Sequence, residues 1–177
     1  AEHPARNLAQ LLSMARERQV FYTSVGVGST QHMVGELLAS AAGVPLHHVP
    51  YRGGGAPVQA VLGGEVDVLC DTPTVATPHL QSGRLRALAV TSAQAWPLLP
   101  GVVPASSVLS GFEVRSWLGL AGPAGLPPAV ARRLHTELQA VLKLPEFQKS
   151  LGNLGSIAWS GSSQAMQDMV QNEIARW

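Results

Sequence analysis

Three short segments carry side chains with chemistry to offer: Ser24–Thr30, Tyr51–Gly55 and Asp71–Thr74. The first reads Ser24-Val25-Gly26-Val27-Gly28-Ser29-Thr30. Its two glycines remove side chains that would block backbone approach, and its three hydroxyls add donors. A helix starting at Thr30 would present free N–H groups and a dipole that favour negative charge. The other reading is a glycine-rich turn in which Ser29 or Thr30 only caps the helix. His32 stands one turn before Glu36; it either donates to a ligand or makes an ordinary i,i+4 contact. Asp71 either accepts from an ammonium group or a held water, or closes an Asx-type turn on its own backbone. Tyr51 either walls a pocket or packs. Cys70 alternates with Val66 and Val68 and reads as a buried small hydrophobe.

Familiar enzymatic patterns are missing. A dinucleotide fingerprint needs a third glycine where Gln31 stands, and an acid within Leu46-His47-His48-Val49-Pro50, which has none. No glycine loop is followed by a phosphate-binding lysine, and no Gly-x-Ser-x-Gly elbow occurs. Six histidines invite a metal. His47 and His48 are neighbours on an expected strand, so they point to opposite faces and cannot chelate together. No metal site and no cofactor are expected.

The elements that must position these segments alternate between strand and helix. Leu8, Leu11, Leu12 and Ala15 recur at helical spacing behind Asn7, a suitable N-cap. Val20–Ser24 is a β-branched and aromatic run. A helix follows from about Thr30 to Ala42, stopped by Gly43. Val44–Tyr51 reads as a second strand and Arg52–Gly55 as a loop. Val58, Val61 and Leu62 suit a short helix ending at Gly63-Gly64. Val66–Cys70 reads as a third strand and Leu85–Val90 as a fourth. This rhythm predicts an α/β fold with parallel strands covered by helices, its ligands held where strands end. Residues 96–111, rich in Pro, Gly and Ser, read as a connector. Phe112–Leu120 reads as another strand. Pro127-Pro128 opens a helix with Val130, Leu134, Leu138 and Val141 inward. Phe147 and Leu151 mark a further helix. The last helix carries Met166, Met169, Val170 and Ile174 behind Ser162 or Ser163.

Composition narrows the function classes. Of 177 residues, 46% are apolar and 13% charged, a balance that forms a core rather than a disordered chain. The net charge of +1 leaves no basic excess to neutralise a row of phosphates, which argues against nucleic acid as a partner. The single cysteine excludes an internal disulfide. No apolar run approaches the roughly 18 residues of a membrane span. The chain opens Ala-Glu-His-Pro, without Met or a signal segment, as a mature form, a fragment or a shortened reading frame would.

At the loops the sequence resembles a known family. Tyr22-Thr23-Ser24-Val25-Gly26-Val27-Gly28-Ser29-Thr30-Gln31-His32-Met33-Val34-Gly35-Glu36 is similar to the Gly-x-Gly-Ser-x-x-His-x-x-Gly-Glu segment of the Bug proteins. These are extracytoplasmic solute receptors of tripartite tricarboxylate transporters. The likeness continues, in order, through His48–Gly54, Leu62–Asp67, Gly83–Thr91, Ser116–Leu120 with Pro123–Gly125, and Glu173–Trp177. It implies a two-lobed fold like the type II periplasmic binding proteins, closing on a small carboxylate: a di- or tricarboxylate or an acidic amino acid. It implies a periplasmic location, the transporter's membrane components as partners, and no catalysis. Ser24, Gly26, Val27, Gly28, Ser29, Thr30 and His32 would line one wall, with Tyr51, Asp71 and Thr72 nearby. Thr72 stands where the family often has Asn.

The resemblance further implies that family strands and a Pro/Gly-rich loop before residue 1 are missing here. Residues 1–110 would form the second, middle lobe. Residues 111–177 would be the returning part of the first lobe, without its N-terminal strands. Faces carrying Leu134, Leu138, Met166, Val170 and Ile174 would then need another partner or self-associate. Two other readings remain beside the receptor: an enzyme using the Gly26–Thr30 loop to hold an anionic substrate, and a truncated remnant without function.

Overall fold

A computed structural model describes residues 3–177. The chain divides into two compact units, the first ending at Trp117 and the second running Leu118–Trp177. The sequence places its change of lobe somewhat earlier, at 110–111.

The first unit is built on three parallel strands: β1 (Phe21–Ser24), β2 (His47–Pro50) and β3 (Val68–Leu69), in the order β2-β1-β3. Helix α1 (Leu8–Glu17) starts where Asn7 accepts from the Gln10 amide at 2.9 Å, and buries the expected Leu8, Leu11, Leu12 and Ala15. Helix α2 (Thr30–Ala42) starts at the Ser29 cap and ends at Gly43, whose φ of 61° is the left-handed cap for which glycine is suited. Helices α3 (Gly55–Leu62) and α4 (Pro73–Gln81) follow β2 and β3. Val20, Tyr22, Val34, Leu38 and Val44 are buried. Phe112 and Val114 complete the core cluster with α1.

Several elements differ from the sequence reading. Leu85–Val90 forms no strand; Val90 alone makes a parallel bridge, to Pro104. Leu88 and Ala89 pack on the core, so this apolar run reports burial rather than pairing. Phe112–Leu120 is no strand either. Phe112 and Val114 are anchored, the latter donating to Thr91 O at 2.9 Å, but Leu118 and Leu120 lie exposed without a partner strand. The second and third strands are shorter than expected, because only His47–Pro50 and Val68–Leu69 meet β1 in register. Helix α4 was not foreseen. Pro73 occupies its first turn, where a missing N–H costs nothing, and Pro78 lies inside it. The 96–111 connector holds one short 3-10 turn, Ala105–Ser107.

At the end of the sheet opposite the loops, Asp67 ties three segments together. Its Oδ2 accepts from the Phe21 amide at 2.9 Å, and its Oδ1 from Arg18 Nη2 at 2.8 Å; His3 Nε2 lies 3.1 Å from Oδ1. Burial alone would raise the carboxyl pKa, but the Arg18 and Phe21 donors and the Arg18 charge outweigh it and hold it below the usual range. A depressed carboxyl pKa stabilises the fold above its unfolded value, about 3.9, and that stability is lost as pH falls through the folded value. Asp67→Asn should therefore cost about 2 kcal/mol at neutral pH in urea unfolding, and the gap to wild type should close as pH falls through the folded pKa of the carboxyl. A cost that does not change with pH would show that the charge is not what matters.

The second unit contains α5 (Pro128–Leu142), α6 (Pro145–Asn153) and α7 (Ser163–Arg176). Of the two cap candidates, Ser162 takes the role, accepting from Ala165 N at 3.0 Å. The residues expected inward on α5 are not enclosed: Val130, Leu134 and Val141 are exposed, as is Ile174 on α7. Their spacing makes an apolar stripe, but no sheet in this unit covers it.

Candidate anion-binding site

Parallel strands all end at one edge, so the order β2-β1-β3 brings three loops together there. They are the loop after β1, Tyr51 after β2, and Asp71-Thr72 after β3. Tyr51 N donates to Ser24 O at 3.0 Å, which fixes the second loop beside the first.

The first loop is held from within. Ser24 is fully buried, and its Oγ accepts from Gly26 N at 3.0 Å. Ser29 Oγ accepts from His32 N at 3.3 Å and donates to Gly26 O at 2.7 Å. Gly26 and Gly28 have φ of 139° and 81°, both positive, and a Cβ added at either would meet nothing within 4 Å. The space above both glycines is thus open to a ligand. Gly28 N donates to His32 Nδ1 at 3.3 Å. The amides of Val27, Thr30 and Gln31 find no partner among the described residues. Val27 and Thr30 are exposed and Gln31 is half-buried, so these unpartnered donors lie at and just before the start of a thirteen-residue helix.

His32 is more enclosed than a surface contact requires. Its side chain is 19% exposed, its Nε2 lies 3.7 Å from Glu36 Oε1, and its ring sits 4.1 Å from that of His48. Asp71 bonds its neighbouring backbone, with Oδ1 accepting from Thr72 N at 2.7 Å, one residue on rather than the two of an Asx turn. It also reaches Gln31 Nε2 at 3.4 Å, while Oδ2 is buried with no partner. Thr72 caps α4 by position only; its side chain makes no capping bond. Burial, aided by Asp71, pushes the Cys70 thiol up to about 12, so it stays protonated as a small hydrophobe packed on the core.

Sequence reasoning missed the residues behind the loop. His48 Nε2 lies 2.6 Å from Ser24 Oγ, and its ring stacks on Tyr22 at 5.0 Å. The Tyr22 hydroxyl donates to Glu36 Oε1 at 2.7 Å; burial first, then Glu36, raises its pKa. Strand alternation was the available signal, since His48 pairs with Tyr22 in register and shares its face. Among the described residues no group of three metal-ligating side chains occurs. Two surface depressions of about 350 and 370 Å³ are lined by residues of α1 and its neighbours, such as Gln10, Ser13 and Leu8, and include none of these loops.

Comparison with known proteins gives the family and the fold. The model of the tripartite tricarboxylate transporter family receptor, TctC, matches residues 1–177. A UPF0065 protein from the clcB-clcD intergenic region of Pseudomonas knackmussii is 40% identical over 154 residues, 86% of this chain and 91% of that one. Among solved structures, Rpa4515 of R. palustris with adipate superposes with a TM-score of 0.91 at 34% identity, over 99% of this chain and 60% of that one. The periplasmic binding protein BugD gives 0.88 at 31% identity, over 99% and 60%. The chain spans about half the length of most curated relatives it matches. The matching family is one of receptors and BugD is a binding protein, which sets aside the enzyme reading of the glycine loop. The expected fold class is also met, a part of a periplasmic-binding-protein fold. The chain belongs to the TctC family of tripartite tricarboxylate transporter receptors.

Proposed function

We propose that this chain supplies one carboxylate-holding wall of a solute receptor that serves a tripartite transporter from the periplasm. The observation that carries the reading is the set of Val27, Thr30 and Gln31 amides, unpartnered among the described residues, in a loop opened by Gly26 and Gly28. Such donors complement a carboxylate without any cationic side chain, and the dipole of α2 adds to them. Ser24, Ser29 and His32 hold the loop in shape; Tyr51, Asp71 and Thr72 flank it. Adipate, bound by the R. palustris relative, supports a small carboxylate as the ligand class. Residues 1–110 act as the second lobe and 111–177 as the returning part of the first. The exposed apolar side chains of α5 and α7 support a covering partner or association of copies.

The test is amide NMR on the full chain with adipate and, separately, its uncharged diamide, each up to tens of millimolar. Adipate should move the Val27, Gly28, Thr30 and Gln31 amides in a saturable way, and the diamide should not. Equal responses to both, or none to adipate, would overturn the reading.

A further inference from the structure

We propose, on the reading that the Gly26–Thr30 loop holds a carboxylate, that Val27 is a specificity-determining residue. Its side chain covers the carbon chain behind the bound carboxylate, so the site takes acids with a plain alkyl chain and disfavours their hydroxylated counterparts. The first observation is exposure. Val27 is 78% exposed, whereas the other exposed large apolar side chains among the described residues of the first unit reach 48% at most. It stands between Gly26 and Gly28, both at positive φ, and a Cβ added at either glycine would meet nothing within 4 Å. The isopropyl group therefore projects from the loop with no side chain beside it. Single apolar side chains on a surface are ordinary. This one differs by its place, at the tip of the loop that carries the carboxylate donors.

Covalent geometry ties this side chain to the anion. The Val27 amide is one of the donors unpartnered among the described residues, and its own Cβ is two bonds from that nitrogen. An oxygen that accepts from the amide at about 3 Å brings the rest of the acid past the isopropyl group. The hydroxyls nearest in sequence are engaged within the loop. Ser24 Oγ accepts from Gly26 N and lies 2.6 Å from His48 Nε2. Ser29 Oγ accepts from His32 N and donates to Gly26 O. Val25, Gly26 and Gly28 have no polar side chain. A methylene chain crossing here leaves water and takes the isopropyl group out of water with it, which is favourable. A hydroxyl on the same chain leaves water and meets carbon, which is costly. Valine suits the task. Its branched Cβ makes it stiff at χ1, so little rotamer freedom is lost when a ligand covers it.

The test is loop-amide NMR titration of the full chain with adipate and with D-glucarate, the same diacid carrying a hydroxyl on each carbon between the carboxylates. Both are dianions, so charge is held constant. Adipate should bind at least about fivefold more tightly, which is about 1 kcal/mol at about 1.4 kcal/mol per tenfold. Val27→Ser should bring the two affinities to within about twofold of each other, mainly by weakening adipate. Val27→Ile, which keeps a branched alkyl group, should retain the preference. A urea unfolding midpoint measured on each variant separates a loss of fold from a loss of specificity. Equal affinities in the wild type overturn the specificity and leave carboxylate capture standing. A preference that survives unchanged in folded Val27→Ser does the same. If the loop amides respond to neither acid, both the capture and the specificity fail.

Discussion

Replacing Gly35 with alanine should destabilise the chain by about 3 kcal/mol, against the direction that helix propensity predicts. Gly35 lies inside α2, where alanine normally gains about 1 kcal/mol over glycine. Here an added Cβ would stand 2.1 Å from Tyr22 Cε2 and 2.2 Å from Cζ. The ring cannot swing away, because Tyr22 is 1% exposed and is stacked on His48. Either the helix lifts off the sheet or the ring tilts, and in both cases the Tyr22–Glu36 hydrogen bond is lost. Overpacking of this kind costs about 1–3 kcal/mol, and a hydrogen bond to a charged acceptor adds about 1.5–3. Urea unfolding reads the result. Tyr22→Leu in the Gly35→Ala background should recover at least about 1 kcal/mol relative to additivity. A single variant within about 0.5 kcal/mol of wild type would mean that α2 has room to move.

The second large effect is on binding. Gly28→Val should lower adipate affinity at least about a hundredfold, more than its backbone strain lowers stability. A β-branched residue is strained at a φ of 81°, so the loop must rearrange and its amides lose their aim. The added side chain also projects into the space left open above the loop. Losing two charge-assisted bonds, at about 1.5–3 kcal/mol each, accounts for the size of the effect. Adipate-dependent amide shifts that survive in this variant would remove the loop from the site.

These two glycines show what could be read from sequence and what could not. Gly28 sits in a local pattern: glycines, hydroxyls and a helix start, all within seven residues. The caps at Asn7, Ser29, Gly43 and Ser162 are legible for the same reason, since each depends on near neighbours. Gly35 needs Tyr22, and Tyr22 becomes informative only when β1 and β2 pair in register with His48 opposite. That register joins segments from separate strands, and no local spacing encodes it. The same limit explains the missing fourth strand. Leu85–Val90 has the composition of a strand, but a strand is defined by its partner, and only Val90 has one. Helix α4 is absent from the sequence reading, which takes Asp71–Thr74 as a loop, although Pro73 sits in a first turn that tolerates it.

None of the three helices after Pro127 encloses a buried side chain. Opening one of them breaks mostly backbone bonds that already lie near water, so its free energy belongs to the low end of the native range. A protease would meet this stretch long before it reached β1. The two units are therefore cleared by different routes. The lifetime of the C-terminal unit follows a local opening equilibrium, and that of the sheet follows global unfolding. Selection for a longer-lived chain would act first on residues beyond Leu118, even though the groups proposed to hold the ligand lie before Pro73.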